Sequence, residues 1–144
     1  MPPKPVNPHR RVRSDHATEL AEDYVEAIAE IIEQGGTCRG TDLAQRFAVS
    51  HVTVNRTIAR LQRDGYVTTE PYGPVELTAR GRKMARESAR RHEIVVNFLL
   101  ALGVSEDVAH IDSEGIEHHC SQETLEKMAE FTTQQARLAS TEVT

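Results

Sequence analysis

Residues 41–78 constrain the fold more than any other part of the sequence, because two helical patterns and two strand patterns follow one another without a long linker. Apolar residues at helical spacing predict a short helix over 41–47 and a second helix that runs to about Arg63. Ala48, Val49 and Ser50 lie between them, and Ser50 is a favourable N-cap for the second helix. A short helix, a tight turn and a second helix are typical of a helix-turn-helix.

The apolar and polar residues of this segment separate onto different faces of the predicted helices. The side chains expected to pack the two helices together are Leu43, Ala44, Val49, Val54, Ile58 and Leu61. The exposed face of the second helix is expected to carry Ser50, His51, Thr53, Asn55, Arg56 and Arg60. Short polar and arginine side chains on a helix can reach base edges in the major groove of DNA. These six residues are therefore the candidate DNA-binding residues, the alternative being a winged helix that contacts only protein.

Two short strands at 66–69 and 75–78, with a turn rich in Pro and Gly at 70–74, predict a β-hairpin directly after the helix pair. The hairpin would form the wing of a winged helix-turn-helix. The basic residues that follow it are suited to neutralising phosphates, and they are Arg80, Arg82, Lys83 and Arg86.

Charge is distributed unevenly, although the net charge is −5. Residues 34–92 contain 11 Lys and Arg against 5 Asp and Glu, whereas residues 104–144 contain 2 against 9. Such asymmetry indicates a nucleic-acid face in one part of the chain and a different task in the other, or else an ordinary solvated surface.

The remaining patterns place helices on both sides of the winged helix. We expect a basic, proline-rich and flexible arm at 1–14, a helix at 16–34, a long helix at 78–103, two short helices at 105–110 and 112–119, and a last helix from Ser121 to about Gln135. The fold class is mainly α with a small β wing, and the predicted domains are 15–83 for DNA binding and 84–144 for a helical metal-binding and dimerisation domain.

The sequence DSEGIEHHCS contains the sharpest chemical signal. Glu114, Glu117 and His118 are spaced so that they share one face of a helix. Asp23 and Glu26 show the same spacing at the edge of the first apolar stripe, and His92 precedes the apolar run of the long helix. Three helices therefore offer four carboxylates and two imidazoles, and carboxylates that converge would repel one another without a cation.

Oxygen and nitrogen ligands without thiolate favour manganese or ferrous iron over structural zinc, although affinity alone favours copper or zinc. Six candidate ligands exceed what one tetrahedral ion needs, so two ions per subunit bridged by carboxylates fit the set. Taken singly, each of these residues is more often a surface acid or an ordinary histidine. Cys120, beside two histidines, is better explained as a small buried thiol.

The segments EDYVEAI, RHEIVVNFLLALGV and DSEGIEHHCSQETL, with the helix-turn-helix, resemble the manganese transport regulators of the diphtheria-toxin-repressor family over residues 19–131. The resemblance implies a homodimer that binds a palindromic operator when Mn(II) is bound. It also implies that the metal ligands are Asp23, Glu26, His92, Glu114, Glu117 and His118. The iron-responsive branch of the family has Met and Cys in place of Asp23 and Glu114. Those soft ligands are absent here, which favours manganese and leaves iron(II) as the alternative metal.

On this interpretation, Asp23 and Glu26 repel the other carboxylates without a cation, and metal joins the first helix to the long helix and to the 112–119 segment, so that the DNA-binding part is held in one orientation. The apolar run 94–102, with Leu125 and Met128, predicts a dimer interface. Two isolated cysteines and the lack of a long apolar segment favour a cytoplasmic protein without a membrane span. The rival hypotheses are a carboxylate-bridged metalloenzyme, which lacks the expected Glu-x-x-His motifs, and a winged-helix regulator that senses an organic ligand.

Overall fold

The computed structural model describes residues 8–142, with side chains from residue 16 onward. The elements in chain order are α1 (Pro8–Gly35), α2 (Gly40–Phe47), α3 (His51–Arg63), β1 (Val67–Thr69), β2 (Val75–Leu77), α4 (Ala79–Ala101), α5 (Glu106–Glu117) and α6 (Gln122–Glu142). The chain divides into two compact units, Met1–Arg86 and Glu87–Thr144. This architecture confirms a mainly α fold with a small antiparallel hairpin.

The first helix begins earlier than the sequence predicted. We expected it from about His16, whereas α1 begins at Pro8, inside the predicted arm. Proline is well suited to the first turn of a helix, because its missing N–H would have no partner there, and no glycine or further proline interrupts residues 9–16. The rest of the arm, residues 1–7, lies outside the described residues.

The core of the first unit joins α1 to the helix-turn-helix. Tyr24 and Ile28 of α1 are buried, and the Tyr24 ring stacks on Phe47 of α2 with the ring centroids 4.5 Å apart. The other buried apolar side chains of this cluster are Ala21, Ala27, Cys38, Leu43, Ala44, Val54, Ile58, Leu61, Val67 and Val75. The apolar stripe of α1 therefore forms the platform on which α2 and α3 are held.

Local hydrogen bonds fix the beginnings of α2 and α3. The backbone N–H of Arg39, the N-cap of α2, donates to the Asp42 carboxylate over 2.8 Å. Ala48 ends α2 in the left-handed conformation, with φ at 53°. Ser50 then caps α3 by accepting a hydrogen bond from the Thr53 backbone N–H at 3.2 Å, as the sequence predicted. The turn between the helices is thus determined at its ends.

The hairpin follows α3 directly. β1 pairs with β2 in an antiparallel register in which Val67 lies opposite Leu77 and Thr69 opposite Val75. The backbone N–H of Val75 also donates to the carbonyl of Cys38 over 2.8 Å, which ties the hairpin to the segment before α2. The predicted wing is therefore present, and it is joined both to the end of α3 and to the segment before α2.

The second unit contains most of α4 together with α5 and α6. Its buried apolar side chains include Val95 and Val96 of α4, Ala109 of α5 and Leu125 of α6. Phe98 of α4 and Phe131 of α6 meet edge to face, with centroids 5.5 Å apart. None of the helices among the described residues is long and apolar enough to cross a membrane.

Two predictions about this unit were wrong in their boundaries. The two short helices expected at 105–110 and 112–119 are one helix, α5, because neither glycine nor proline lies between them to end the first. The last helix continues from Gln135 to Glu142, since residues 136–142 include good helix formers and no breaker. Ser121 does cap α6, accepting from the Thr124 N–H at 3.2 Å.

Candidate metal centre and nucleic-acid interface

The exposed face of α3 is polar, as expected. Ser50, His51, Thr53, Asn55, Arg56 and Arg60 are all exposed. Thr57, on the opposite side, is buried, and its hydroxyl donates to the Thr53 carbonyl over 3.0 Å. The exposed side of α3 therefore presents hydroxyl, amide, imidazole and guanidinium groups, which suit the mixed donors and acceptors of base edges.

Two valines near the start of α3 differ from the prediction. Val49 was expected in the packing between helices, but it lies in the turn and is 37% exposed. Val52 was assigned no role, yet it is 60% exposed among the polar residues. The helical periodicity around His51 and Thr53 places position 52 on the outer face, and that signal was available in the sequence. The exposed face of α3 thus includes an apolar side chain.

Basic side chains extend this surface beyond the wing. Arg80, Arg82, Lys83 and Arg86 lie exposed on the first turns of α4. The Arg80 guanidinium stacks over the Tyr66 ring, 4.4 Å from its centroid, and Arg82 donates to the carbonyl of Leu77 over 2.8 Å. At the hairpin turn, Tyr72 is fully exposed, and its carbonyl accepts from Arg39 at 3.3 Å. The end of the wing is therefore held next to the start of α2.

In the first unit, the candidate metal ligands lie one turn apart on α1. Asp23 and Glu26 are each half-buried, and the residues beside them, Tyr24 and Ala27, are buried. The two carboxylates therefore lie at the edge of the apolar stripe, where the sequence placed them.

In the second unit, three of the four candidate ligands come together. Glu117, the last residue of α5, is 3% exposed although it carries a carboxylate. Its Oε2 lies 2.9 Å from Nδ1 of His92, on α4, and its Oε1 lies 3.7 Å from Nε2 of His118. The His118 side chain is 4% exposed. A buried carboxylate between two imidazoles forms a compact group of hard donors.

Glu114 is the fourth candidate of this unit and lies one turn before Glu117 on α5. Its side chain is exposed, in contrast to that of Glu117. The structure therefore brings together His92, Glu117 and His118 and places Glu114 on the adjacent turn.

The donor set fits a divalent cation. Burying a carboxylate carries a desolvation cost unless positive charge or hydrogen bonds compensate it. The ring nitrogen of His92 is one contact that compensates the buried Glu117 carboxylate. The His92 side chain itself is 27% exposed. Carboxylate oxygen and imidazole nitrogen together are ligands that suit Mn(II), Fe(II) and Zn(II).

Two residues near this group were not singled out from the sequence as part of it. Ser113 is fully buried, and its Oγ lies 3.2 Å from Nδ1 of His92. The ring of His110 lies beside that of His92, with centroids 5.6 Å apart. A serine four residues before Glu117 shares its helical face, which was the signal that could have indicated Ser113.

Neither cysteine belongs to this group by its chemistry. Burial raises the pKa of Cys120, which favours the thiol over the thiolate that binds metals. Burial, with a smaller effect from Asp42, raises the pKa of Cys38 to about 11. Cys120 was expected to be a small buried thiol, but its exposure is intermediate.

Comparison with known families matches nearly the whole chain. Residues 16–75 match the iron dependent repressor N-terminal DNA binding domain, and residues 78–137 match the iron dependent repressor metal binding and dimerisation domain. The two matches meet at the start of α4, next to the division between the compact units.

Individual relatives carry more specific names. The chain is 47% identical to the transcriptional regulator MntR of Salmonella typhimurium over 90% of this chain and 82% of the relative. It is 35% identical to the HTH-type transcriptional regulator MntR of Bacillus subtilis, over 79% and 80%. A solved manganese-dependent transcriptional repressor in complex with manganese matches with a TM-score of 0.69 at 30% identity, over 78% of this chain and 52% of that one. The chain thus spans about half the length of that solved structure.

Proposed function

Because the chain belongs to the iron-dependent repressor family, whose members combine a DNA-binding domain with a metal-binding and dimerisation domain, we propose that it is a manganese-dependent repressor. It binds a palindromic operator as a homodimer when Mn(II) is bound, and so controls genes of manganese homeostasis in the bacterial cytoplasm. The observation that carries this proposal is the buried Glu117 carboxylate between His92 and His118. Regulators named MntR and a manganese-bound repressor among the similar proteins support the choice of metal.

The proposed ligands are hard donors throughout. Asp23 and Glu26 supply carboxylates from α1, and His92, Glu114, Glu117 and His118 supply two carboxylates and two imidazoles from the second unit. A divalent cation, when bound, neutralises carboxylates that would otherwise repel one another. Six ligands are enough for two ions in each subunit. The same donors suit Fe(II), and this metal is the alternative because the family models describe iron-dependent repressors.

On the DNA side, each part of the first unit has a separate role. The side chains at the exposed face of α3 read base edges, and they are Ser50, His51, Thr53, Asn55, Arg56 and Arg60. The arginines and the lysine at the start of α4 contact phosphates, which provide affinity rather than sequence preference. In a homodimer, two α3 helices spaced about 34–36 Å apart would meet successive major grooves and so require a palindrome.

Metal binding and DNA binding are coupled when the metal binds the DNA-competent state of the protein more tightly than its other states. Asp23 and Glu26 lie on the helix that supports α2 and α3 through the Tyr24–Phe47 stack. A contact that fixes α1 therefore also fixes the platform of the DNA-reading helix. If the ligands are better arranged in the DNA-competent state than in other states, operator binding and metal binding strengthen each other by the same factor.

The experiment is an anisotropy titration of fluorescent operator DNA, selected from a random-sequence library in the presence of Mn(II). We expect tight binding with Mn(II), weak binding with a chelator, and a steep dependence on salt. Fe(II), tested anaerobically, distinguishes the two metals. Equal affinity with Mn(II) and with the chelator would contradict the proposal, as would a library from which no sequence is enriched.

A further inference from the structure

Ser113 has a buried hydroxyl that contacts two groups, one on its own helix and one on a neighbouring helix. It lies on α5, is fully buried, and its Oγ donates a hydrogen bond to the His110 carbonyl over 2.9 Å. The same oxygen lies 3.2 Å from Nδ1 of His92 on α4. Since its hydrogen is directed to the carbonyl, the oxygen can only accept from the imidazole. Nδ1 of His92 is therefore a donor in this contact.

The contact with Glu117 also requires Nδ1 of His92 to be a hydrogen-bond donor. Its Oε2 lies 2.9 Å from Nδ1, and a carboxylate accepts hydrogen bonds when ionised. Two acceptors from α5, one turn apart, thus converge on one ring nitrogen. Without metal, Nδ1 carries a hydrogen whether the imidazole is neutral or charged.

We propose that Ser113 is a positioning residue of the metal centre, which holds the His92 imidazole in the orientation that metal binding requires. The inference rests on the proposed function. The His92 side chain is 27% exposed, so its ring has room to turn toward solvent when no neighbour holds it. A lone pair of Glu117 that accepts a hydrogen bond from the His92 ring cannot bind a metal at the same time. On this proposal Nε2 of His92 is the nitrogen that binds the metal, so Ser113 can accept from Nδ1–H both with and without metal.

Hydrogen-bond partners behind metal-bound histidines have measurable effects on metal affinity. Removing such a partner typically weakens metal binding by about 10–100-fold. Here His92 also contacts Glu117, so the effect of Ser113 belongs at the lower end of that range. We expect Ser113→Ala to bind Mn(II) about 10-fold more weakly than the wild-type chain.

The experiment measures Mn(II) binding to the full chain without DNA, by the electron paramagnetic resonance signal of the free aqueous ion. Ser113→Ala removes the hydroxyl and leaves a good helix former. Ser113→Thr retains a hydroxyl and should restore most of the affinity. Thr132→Val is the matched control, because the Thr132 hydroxyl also donates to a carbonyl of its own helix, that of Met128, over 2.9 Å.

A second readout tests orientation directly, in the metal-free protein. Carbon-13 relaxation of labelled histidine rings should show a more mobile His92 ring in Ser113→Ala, with the His51 ring of the other unit unchanged. Unchanged Mn(II) affinity and unchanged His92 mobility in Ser113→Ala would overturn the inference. Equal losses in Ser113→Ala and Ser113→Thr would also overturn it, since packing rather than the hydroxyl would then be responsible. A wild-type chain that binds no Mn(II) would instead contradict the proposed function.

Discussion

Glu117 and its neighbours show which features of a site a sequence can reveal. The spacing of Glu114, Glu117 and His118 predicted a shared helical face, and the structure places Glu117, which also contacts His118, 2.9 Å from His92 on a different helix. The pattern of α5 alone could not show that Ser113 would contact His92, because that contact depends on how α4 packs against α5. Residue types and helical spacing therefore predict ligands better than they predict the residues that orient them.

Arg56 is the residue of α3 whose role in DNA recognition can be tested most simply. It is exposed in the middle of the polar face, and arginine makes strong bidentate contacts with guanine. We expect Arg56→Ala to weaken operator binding by about 1–3 kcal/mol and to relax the preference at one base position. Anisotropy at matched salt and Mn(II) is the measurement, with Arg137→Ala on α6 as the control for lost positive charge. Wild-type affinity in Arg56→Ala would show that this face does not read DNA.

Cys38 predicts a dependence of stability on alkaline pH. Its folded-state pKa, raised by burial to about 11, exceeds its ordinary value of 9.0. The thiol therefore contributes its full stability below pH 9, and this contribution is lost as the pH rises from 9 to 11, because only the unfolded chain ionises there. The loss should reach about 2–3 kcal/mol.

Denaturant unfolding from pH 8 to pH 11, compared between the wild-type chain and Cys38→Ala, isolates this contribution from other groups. The difference in unfolding free energy between the two proteins should shrink as the pH rises. A difference that stays constant across this range would show that the Cys38 thiolate is tolerated in the folded chain.

At the scale of elements, helix interiors were easier to predict than helix ends. The limits of α2 and α3 were correct because strong local signals mark them, such as the Ser50 cap. The expected break in α5 near Ile111 was wrong, since no residue there stops a helix.

The position of Gly81 carries a constraint that no local sequence pattern shows. A Cβ atom there would lie 2.1 Å from the Tyr66 carbonyl oxygen, so α4 starts against the backbone that leads into β1.

Gly81→Ala should therefore destabilise the chain, by about 1–3 kcal/mol or more, as expected for an overpacked site. Gly115→Ala on α5 is the matched control, because a Cβ atom there meets nothing within 4 Å. Alanine in place of a helical glycine should stabilise by about 0.5–1 kcal/mol. Thermal unfolding of the metal-free proteins should shift the two midpoints in opposite directions. Equal midpoints would mean that α4 does not approach Tyr66 this closely.

At the scale of the whole molecule, the apolar surface of the second unit supports a homodimer, and part of the predicted run 94–102 contributes to that surface. Val95, Val96 and Leu125, within or near the expected interface, are buried inside the unit. The large exposed apolar side chains of this unit are Leu100, Leu102, Val108, Ile111 and Leu138, which are 40–70% exposed. Leu100, Leu102, Val108 and Ile111 are the candidates for a surface that a second copy covers, and the first two lie within the predicted run.

Light scattering should give about twice the mass of the 16.1 kDa chain at micromolar concentration, with or without metal. Leu102→Glu combined with Ile111→Glu places charges on this surface and should shift the protein toward the monomer. Val52→Glu, a similar change at an exposed valine of the first unit, is the control and should leave the dimer intact. A wild-type monomer would contradict the proposed dimer, and a dimeric double variant would place the interface elsewhere.

The central claim is that the carboxylates and imidazoles of the second unit control DNA binding through a metal ion. It is tested most directly by operator binding as a function of free Mn(II) in the wild-type chain, in Glu117→Gln and in Glu130→Gln. Glu117→Gln retains the size of the buried side chain but removes its charge, whereas Glu130 is an exposed acid that pairs with Lys127 at 3.3 Å. The account predicts that Glu117→Gln needs at least about 10-fold more Mn(II) than the wild-type chain for half-maximal binding, and that Glu130→Gln does not differ from wild type. The same Mn(II) response in all three proteins would contradict it.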